Sequence, residues 1–111
     1  MSENEIVAIN LIPLRTNVPV ERFERFARDV DRPACIAQDV VLGFDAYAVE
    51  RRDPLAPSID IVELMHVKSW DEWVHIRDND PALYEVTRIF DELVDAALVT
   101  TLFTHPVSRK P

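Results

Sequence analysis

Residues 59–78, IDIVELMHVKSWDEWVHIRD, pass from strand to helix within one short stretch. The first nine are dominated by β-branched and apolar residues, which suits a pleated strand with packed faces. Ser69-Trp70-Asp71-Glu72 then has the form of a capping box. In that motif the Ser69 hydroxyl accepts from the Glu72 amide, and the Glu72 side chain reaches back to the amide of Ser69. The helix opened there is expected to run to about Asp78.

Upstream, residues 40–51 alternate well enough for another strand, with Phe44, Ala46 and Ala48 on one face and Tyr47 and Val49 on the other. A two-proline loop, RDPLAP, separates it from residues 59–67, so a hairpin between the two strands is the economical pairing. Further upstream, residues 6–14 (IVAINLIPL) are almost unbroken in apolar character and read as a central strand that frays at Pro13. Thr16-Asn17-Val18-Pro19 resembles a helix start with Pro19 in the first turn. Phe23, Phe26, Ala27 and Val30 follow as one apolar stripe, and Asp31-Arg32-Pro33-Ala34-Cys35 is expected to interrupt or turn the helix. Downstream, Asn79-Asp80-Pro81 restarts a helix whose stripe comprises Val86, Ile89, Phe90, Leu93, Val94 and Ala97. Residues 98–103 (LVTTLF) form a last strand, ended by His105-Pro106.

The order is β-α-β-β-α-β, the ferredoxin-like arrangement of the α+β class. It implies a single domain over residues 1–111, with a four-stranded antiparallel sheet and both helices on one face. The strand compositions leave the other face apolar as well. A second copy is expected to cover it, giving a homodimer closed as a dimeric α/β barrel.

A net charge of −8 repels phosphate backbones and anionic membranes, so neither nucleic acid nor membrane is an expected partner. No apolar run approaches the ~20 residues that span a bilayer. The acidic start, MSENEIVAIN, is unlike a secretory signal. Cys35 is the only cysteine, which excludes an internal disulfide and a Cys-rich zinc site, and a reducing cytoplasm is the expected location. Gly43 is the only glycine. Phosphate-cradling loops need several, so a P-loop or Rossmann site is excluded and no cofactor is expected.

Candidates for chemistry are few. His66, His75 and His105 have no metal-ligand spacing, and no metal is expected. His75 lies on the helix after Ser69, as a proton-transfer group or an exposed helix residue. His66 shares a strand phase with Asp60, Val62 and Leu64, and His105 could line the mouth of a cavity between sheet and helices. Glu63 sits within a strand among apolar neighbours. A partly buried carboxylate there has a raised pKa and acts as an acid or base, unless it pairs with an arginine such as Arg51 or meets a second copy. Asn10, inside the first strand, needs a hydrogen-bond partner in the protein or a ligand. Asp31 caps the turn after the first helix or faces the cavity as a base. Cys35 is a small buried hydrophobe or a wall residue. Phe44, Tyr47, Trp73 and Phe103 are core residues or the walls of an aromatic-binding pocket.

FERFARDVDRPAC, the strand FDAYAV and IDIVELMHVKSWDEW together resemble the RedY-like proteins, small relatives of the EthD-type dimeric α/β-barrel proteins. The likeness runs from the first strand to Phe103 and includes Asp31-x-Pro33-x-Cys35. In EthD-type relatives a histidine often stands where Asp31 stands here. The resemblance implies a role in prodiginine-type or carbazole and indole alkaloid biosynthesis, as a cofactor-free cyclase or aromatase acting on a small pyrrole- or indole-bearing intermediate. Under that reading Asp31 or Glu63 is the base and His66, His75 or another acid protonates a departing hydroxyl. The alternatives are a binding protein that protects an aromatic intermediate, and a heme-handling or monooxygenase-type barrel with one of the three histidines as axial ligand.

Overall fold

The apolar run near the start of the chain becomes the inner strand that its composition requires. In the computed structural model, which describes residues 4–108, β1 spans Ile6–Ile12 and stops before Pro13, whose ring nitrogen has no proton for the ladder. Residues 1–3 and 109–111, including the first residues of the acidic start, lie outside the described residues. β2 (Val41–Ala48) and β3 (Ile61–Val67) form the expected antiparallel hairpin, with a bulge between Val41 and Gly43. β1 pairs antiparallel with β3 on one side and with β4 (Thr100–Thr104) on the other, so the sheet order is β2-β3-β1-β4. Each strand is shorter than or shifted from its expected span by a few residues, as fraying ends allow.

Asn17, in a left-handed conformation with φ 70°, turns the chain from β1 towards the first helix. Pro19 caps α1 (Val20–Phe26) from an extended conformation rather than entering its first turn. The expected break at residues 31–35 does not occur. A π turn, Ala27–Asp31, joins α1 directly to α2 (Arg32–Ile36). Pro33 lacks an amide proton and its ring crowds the carbonyl four residues back, so a regular α-helix is strained there. Widening the helix accommodates it: the Arg32 amide donates to the Ala27 carbonyl, five residues back.

α3 (Trp70–Asn79) opens with the Ser69 half of the capping box, Ser69 Oγ accepting from the Glu72 amide at 3.2 Å. Asp80 accepts from the Ala82 amide and starts a short 3₁₀ turn, Pro81–Leu83, which leads into α4 (Tyr84–Leu93). α4 ends before Val94 and Ala97, which the apolar stripe had placed in the helix. Val94 is extended and bridges to Leu14, and Asp95 caps a separate turn, Ala96–Leu98. A short acidic side chain that binds the backbone two residues on competes with continued helix at that point.

The helices cover one face of the sheet. Phe23, Ile12, Ile61, Leu83, Leu93, Val67 and Val94 are its fully buried large side chains. The register sets Ala8, Asn10, Ile12, Ile61, Glu63, Met65, Phe44 and Thr101 on that helix-covered side. Val7, Ile9, Leu11, Val62, Leu64, Tyr47 and Leu102 lie on the opposite side, where Tyr47 and Leu102 are 53% and 55% exposed. Among the described residues, no helix is long and apolar enough to cross a membrane.

Phe23 has no exposed surface and packs edge-on against Phe26 and Phe90. Phe23→Ala is expected to lower unfolding free energy by about 3–5 kcal/mol in urea titrations. Leu55→Ala, at a 96% exposed site, is expected to change it by no more than about 0.5 kcal/mol.

Candidate functional site

Because strand side chains alternate, polar residues in the helix-facing phase are carried into the interior. Three such residues fall in one row across the sheet: Asn10 on β1 is opposite Glu63 on β3 and Thr101 on β4. Beside them the π turn places Asp31 in the interior, next to Cys35 one helical turn later. All five line a cavity of about 440 Å³ between the sheet and the helices. Its apolar walls include Phe44, Met65, Trp70, Trp73, Leu83 and Phe90.

The polar contacts form two short chains. Thr101 Oγ1 donates to Asn10 Oδ1 at 2.7 Å, and Asn10 Nδ2 donates to Glu63 Oε1 at 3.4 Å. Glu63 Oε2 is buried with no hydrogen-bond partner among the described residues. Cys35 Sγ donates to Asp31 Oδ1 at 3.3 Å. Glu63 and Asp31 are each only 5% exposed. Burial pushes the Glu63 carboxyl up to about 8, the nearby Asp31 charge adding to the shift and the Asn10 amide opposing it. Burial likewise pushes Asp31 up to about 6, against the pull of the Cys35 hydrogen bond. Burial, with the two acids close by, pushes the Cys35 thiol far up, so it stays a neutral donor rather than a nucleophile. The cation among the lining residues, Arg77, is ion-paired with Asp78 at 3.0 Å, both side chains being substantially exposed. Two interior carboxyls that ionise at different pH can act as base and acid in one site.

Asn10, Asp31, Cys35, Phe44, Glu63 and Trp73 therefore come together, and the other candidates do not. His66 is on the opposite side of the sheet, where its Nε2 lies 3.1 Å from Glu5 Oε2. It is three residues from Glu63 and so out of phase with it. His75 is on the exposed side of α3, where the Asn79 side-chain amide donates to the His75 carbonyl at 2.8 Å. His105 is exposed beyond β4 and does not line the cavity mouth. Tyr47 projects from the opposite side of the sheet. Phe103 meets Trp70 edge-on at 5.1 Å, supporting a wall residue from outside the cavity. Glu63 has no ion pair with Arg51; the Asn10 amide takes that place. Thr101, which sequence reasoning passed over, is the third member of the polar row. Its signal is cross-strand register, which a strand read alone does not carry.

A family model described as REDY-like protein HapK matches residues 6–107. HapK from Hahella chejuensis is similar in structure, with a TM-score of 0.72 at 16% identity over 96% of this chain and 98% of that one. At3g17210 from Arabidopsis thaliana matches with a TM-score of 0.71 at 17% identity, covering 96% of this chain and 99% of that one. A Bacteroides fragilis protein described as dimeric, of unknown function and ferredoxin-like in fold, matches with a TM-score of 0.61 at 17% identity, covering 94% of this chain and 98% of that one. These likenesses establish the ferredoxin-like fold. No curated protein matches the sequence.

The two raised carboxyls make stability pH-dependent. Each holds its proton to higher pH when folded than when unfolded, so the native state binds more protons between the two values. Stability is therefore expected to fall as pH rises from 4.5 to about 8 for Glu63, and from 3.8 to about 6 for Asp31. Denaturant midpoints measured across this range should drop for the unmodified chain, and Glu63→Gln should flatten the upper half of the profile.

Proposed function

The chain belongs to the REDY-like HapK family, and from that footing we propose that it is a cofactor-independent cyclase or aromatase acting on an unstable pyrrole- or indole-derived intermediate of alkaloid or pigment biosynthesis. The observation that carries this is the pair of buried carboxyls, Asp31 and Glu63, in one aromatic-walled cavity, with no buried cation among the described residues to neutralise them. In this mechanism Asp31, the more readily ionised, removes a proton next to a substrate carbonyl. The resulting carbanion attacks a second carbonyl of the same molecule and closes the ring. The new alkoxide takes that proton back from Asp31. Glu63 then protonates the hydroxyl as it leaves as water, and the Glu63 carboxylate takes the proton lost from the adjacent carbon, which completes aromatisation and restores both acids. Holding one folded conformer in the cavity supplies several kcal/mol of the barrier reduction. No histidine lines the cavity among the described residues, so the acid role goes to a carboxyl and a heme axial ligand is not at hand there.

The functional unit in this reading is a homodimer. The apolar side of the sheet, with Val7, Ile9, Leu11, Val62 and Leu64 in adjacent rows, suits the same side of a second copy. A second reading is supported by the Cys35 thiol on Asp31, which already occupies one carboxyl oxygen. In it the chain binds and protects the intermediate without chemistry.

Purified protein is incubated with the products of the enzymes encoded beside its gene, and mass spectrometry and absorbance follow the outcome. A cyclised product formed without added cofactor is expected, slowed about 100- to 10,000-fold in folded Asp31→Asn or Glu63→Gln. An intermediate that merely persists longer, equally in both variants, would replace catalysis with the protective role. Separately, Leu64→Glu is expected to convert the dimer to monomer in sedimentation velocity, and an unchanged sedimentation coefficient would refute this interface.

A further inference from the structure

The row Thr101, Asn10, Glu63 has a direction. The amide of Asn10 has one accepting and one donating end, and its Oδ1 is already engaged by the Thr101 hydroxyl on β4. Only its NH₂ group is then left to meet Glu63 on β3, as the bond to Oε1 shows. In an uncharged carboxyl, the oxygen that accepts an N–H is the carbonyl oxygen, so the proton belongs on the other one. That other oxygen, Oε2, is the buried atom without a partner. A buried O–H with nothing to donate to is unfavourable, and a ligand that offers an acceptor relieves it.

We propose that Thr101 and Asn10 are positioning residues that make Glu63 a hydrogen-bond donor through Oε2, and that the cavity's ligand is an uncharged, planar aromatic compound whose ketone or aldehyde oxygen accepts that bond. The inference rests on the cavity being the ligand site and adds the group it recognises. Trp70, Trp73, Phe44 and Phe90 supply flat apolar surface for the ring. A carboxylate ligand would meet two acids and, among the described residues, no buried cation. An ammonium ligand would suit an ionised Glu63, the form from which the Oε2 proton is missing.

Two measurements test this on the full chain. In the first, NMR of protein carrying ¹³C-labelled glutamate follows the Glu63 carboxyl through a pH titration, its resonance being assigned by its loss in Glu63→Gln. In the unmodified chain the amide N–H favours the ionised carboxyl. In Thr101→Val the freed amide is expected to turn its oxygen to Glu63, so the midpoint rises, and Thr101→Ser should restore it. Asn10→Leu removes the donor and should raise it as well. An unchanged midpoint in folded Thr101→Val overturns the positioning role.

The second measurement compares acetophenone with α-methylstyrene, which is close to it in size and shape but has a CH₂ group in place of the carbonyl oxygen. Acetophenone is expected to bind about tenfold more tightly, the worth of roughly one net hydrogen bond. Its ¹³C-labelled carbonyl should move downfield on binding, with both effects lost in Glu63→Leu and weakened in Thr101→Val. Equal affinities, or a carbonyl resonance that does not move, overturn the ligand class. If neither compound perturbs the resonances of Trp73 and Leu83, the cavity reading fails along with the ligand class, and the carboxyl titration decides the positioning role separately.

Discussion

The structure depends on a carboxyl that has been taken out of water without a counter-ion. Glu63 stands within β3, one of the two strands paired on both sides, under the helices, where its charged form is strongly disfavoured. Such a group persists when its surroundings hold it neutral or supply hydrogen bonds, and here they do some of each. Asn10 and Thr101 provide a hydrogen-bonded row towards the β4 edge, while the side towards the helices remains open as a cavity. An apolar residue at position 63 would remove the buried charge and let that space fill. The acid and the cavity are therefore two aspects of one arrangement.

The π turn answers the same constraint from the helical layer. Pro33 does not end the helix; it widens the turn before it, and the widened turn carries Asp31 inward while α2 continues to Cys35. The Asp31–Cys35 bond then spans one turn of helix, with the thiol as the donor. A regular helix through these residues would rotate Asp31 to a different bearing. Helical irregularity of this kind is often found where a side chain must be aimed, and it is the local device that brings a second carboxyl to the first.

The order of elements was legible because each rests on local patterns: the capping box at Ser69, the two-proline loop between β2 and β3, and the apolar runs of the strands. The ends were less so. The stripe through Val94 and Ala97 obeys helical spacing, but Val94 leaves the helix to bridge Leu14, a contact eighty residues away in the chain. At the site, Glu63 and Asn10 stood out because a carboxylate and an amide are out of place in apolar strands. Asp31 stood out only with the alternative of a simple cap beside it. The histidines drew attention through their chemistry rather than their phase, and phase decided against His66. Thr101 carries no local signal, since a threonine in a strand is ordinary, and its significance comes from the strand beside it.

Strand alternation also explains why the two sides of this sheet can serve separate ends. Odd-numbered positions 61, 63, 65 and 67 of β3 face the helices and positions 62, 64 and 66 face away. A one-residue slip would put Val62 and Leu64 beneath the helices and expose Glu63 on the side that would meet a second copy. Register is thus under pressure from both directions: the acid must stay inside to face the cavity, and the aliphatic row must stay outside to leave an apolar surface. The Asn10–Glu63 bond strengthens this choice, because it forms only when β1 and β3 pair in the register that places both amide and acid under the helices. A polar contact between two buried groups contributes less to net stability than the apolar packing around it, but it discriminates between registers, since a slipped pairing of β1 and β3 breaks it and leaves Asn10 with Thr101 alone.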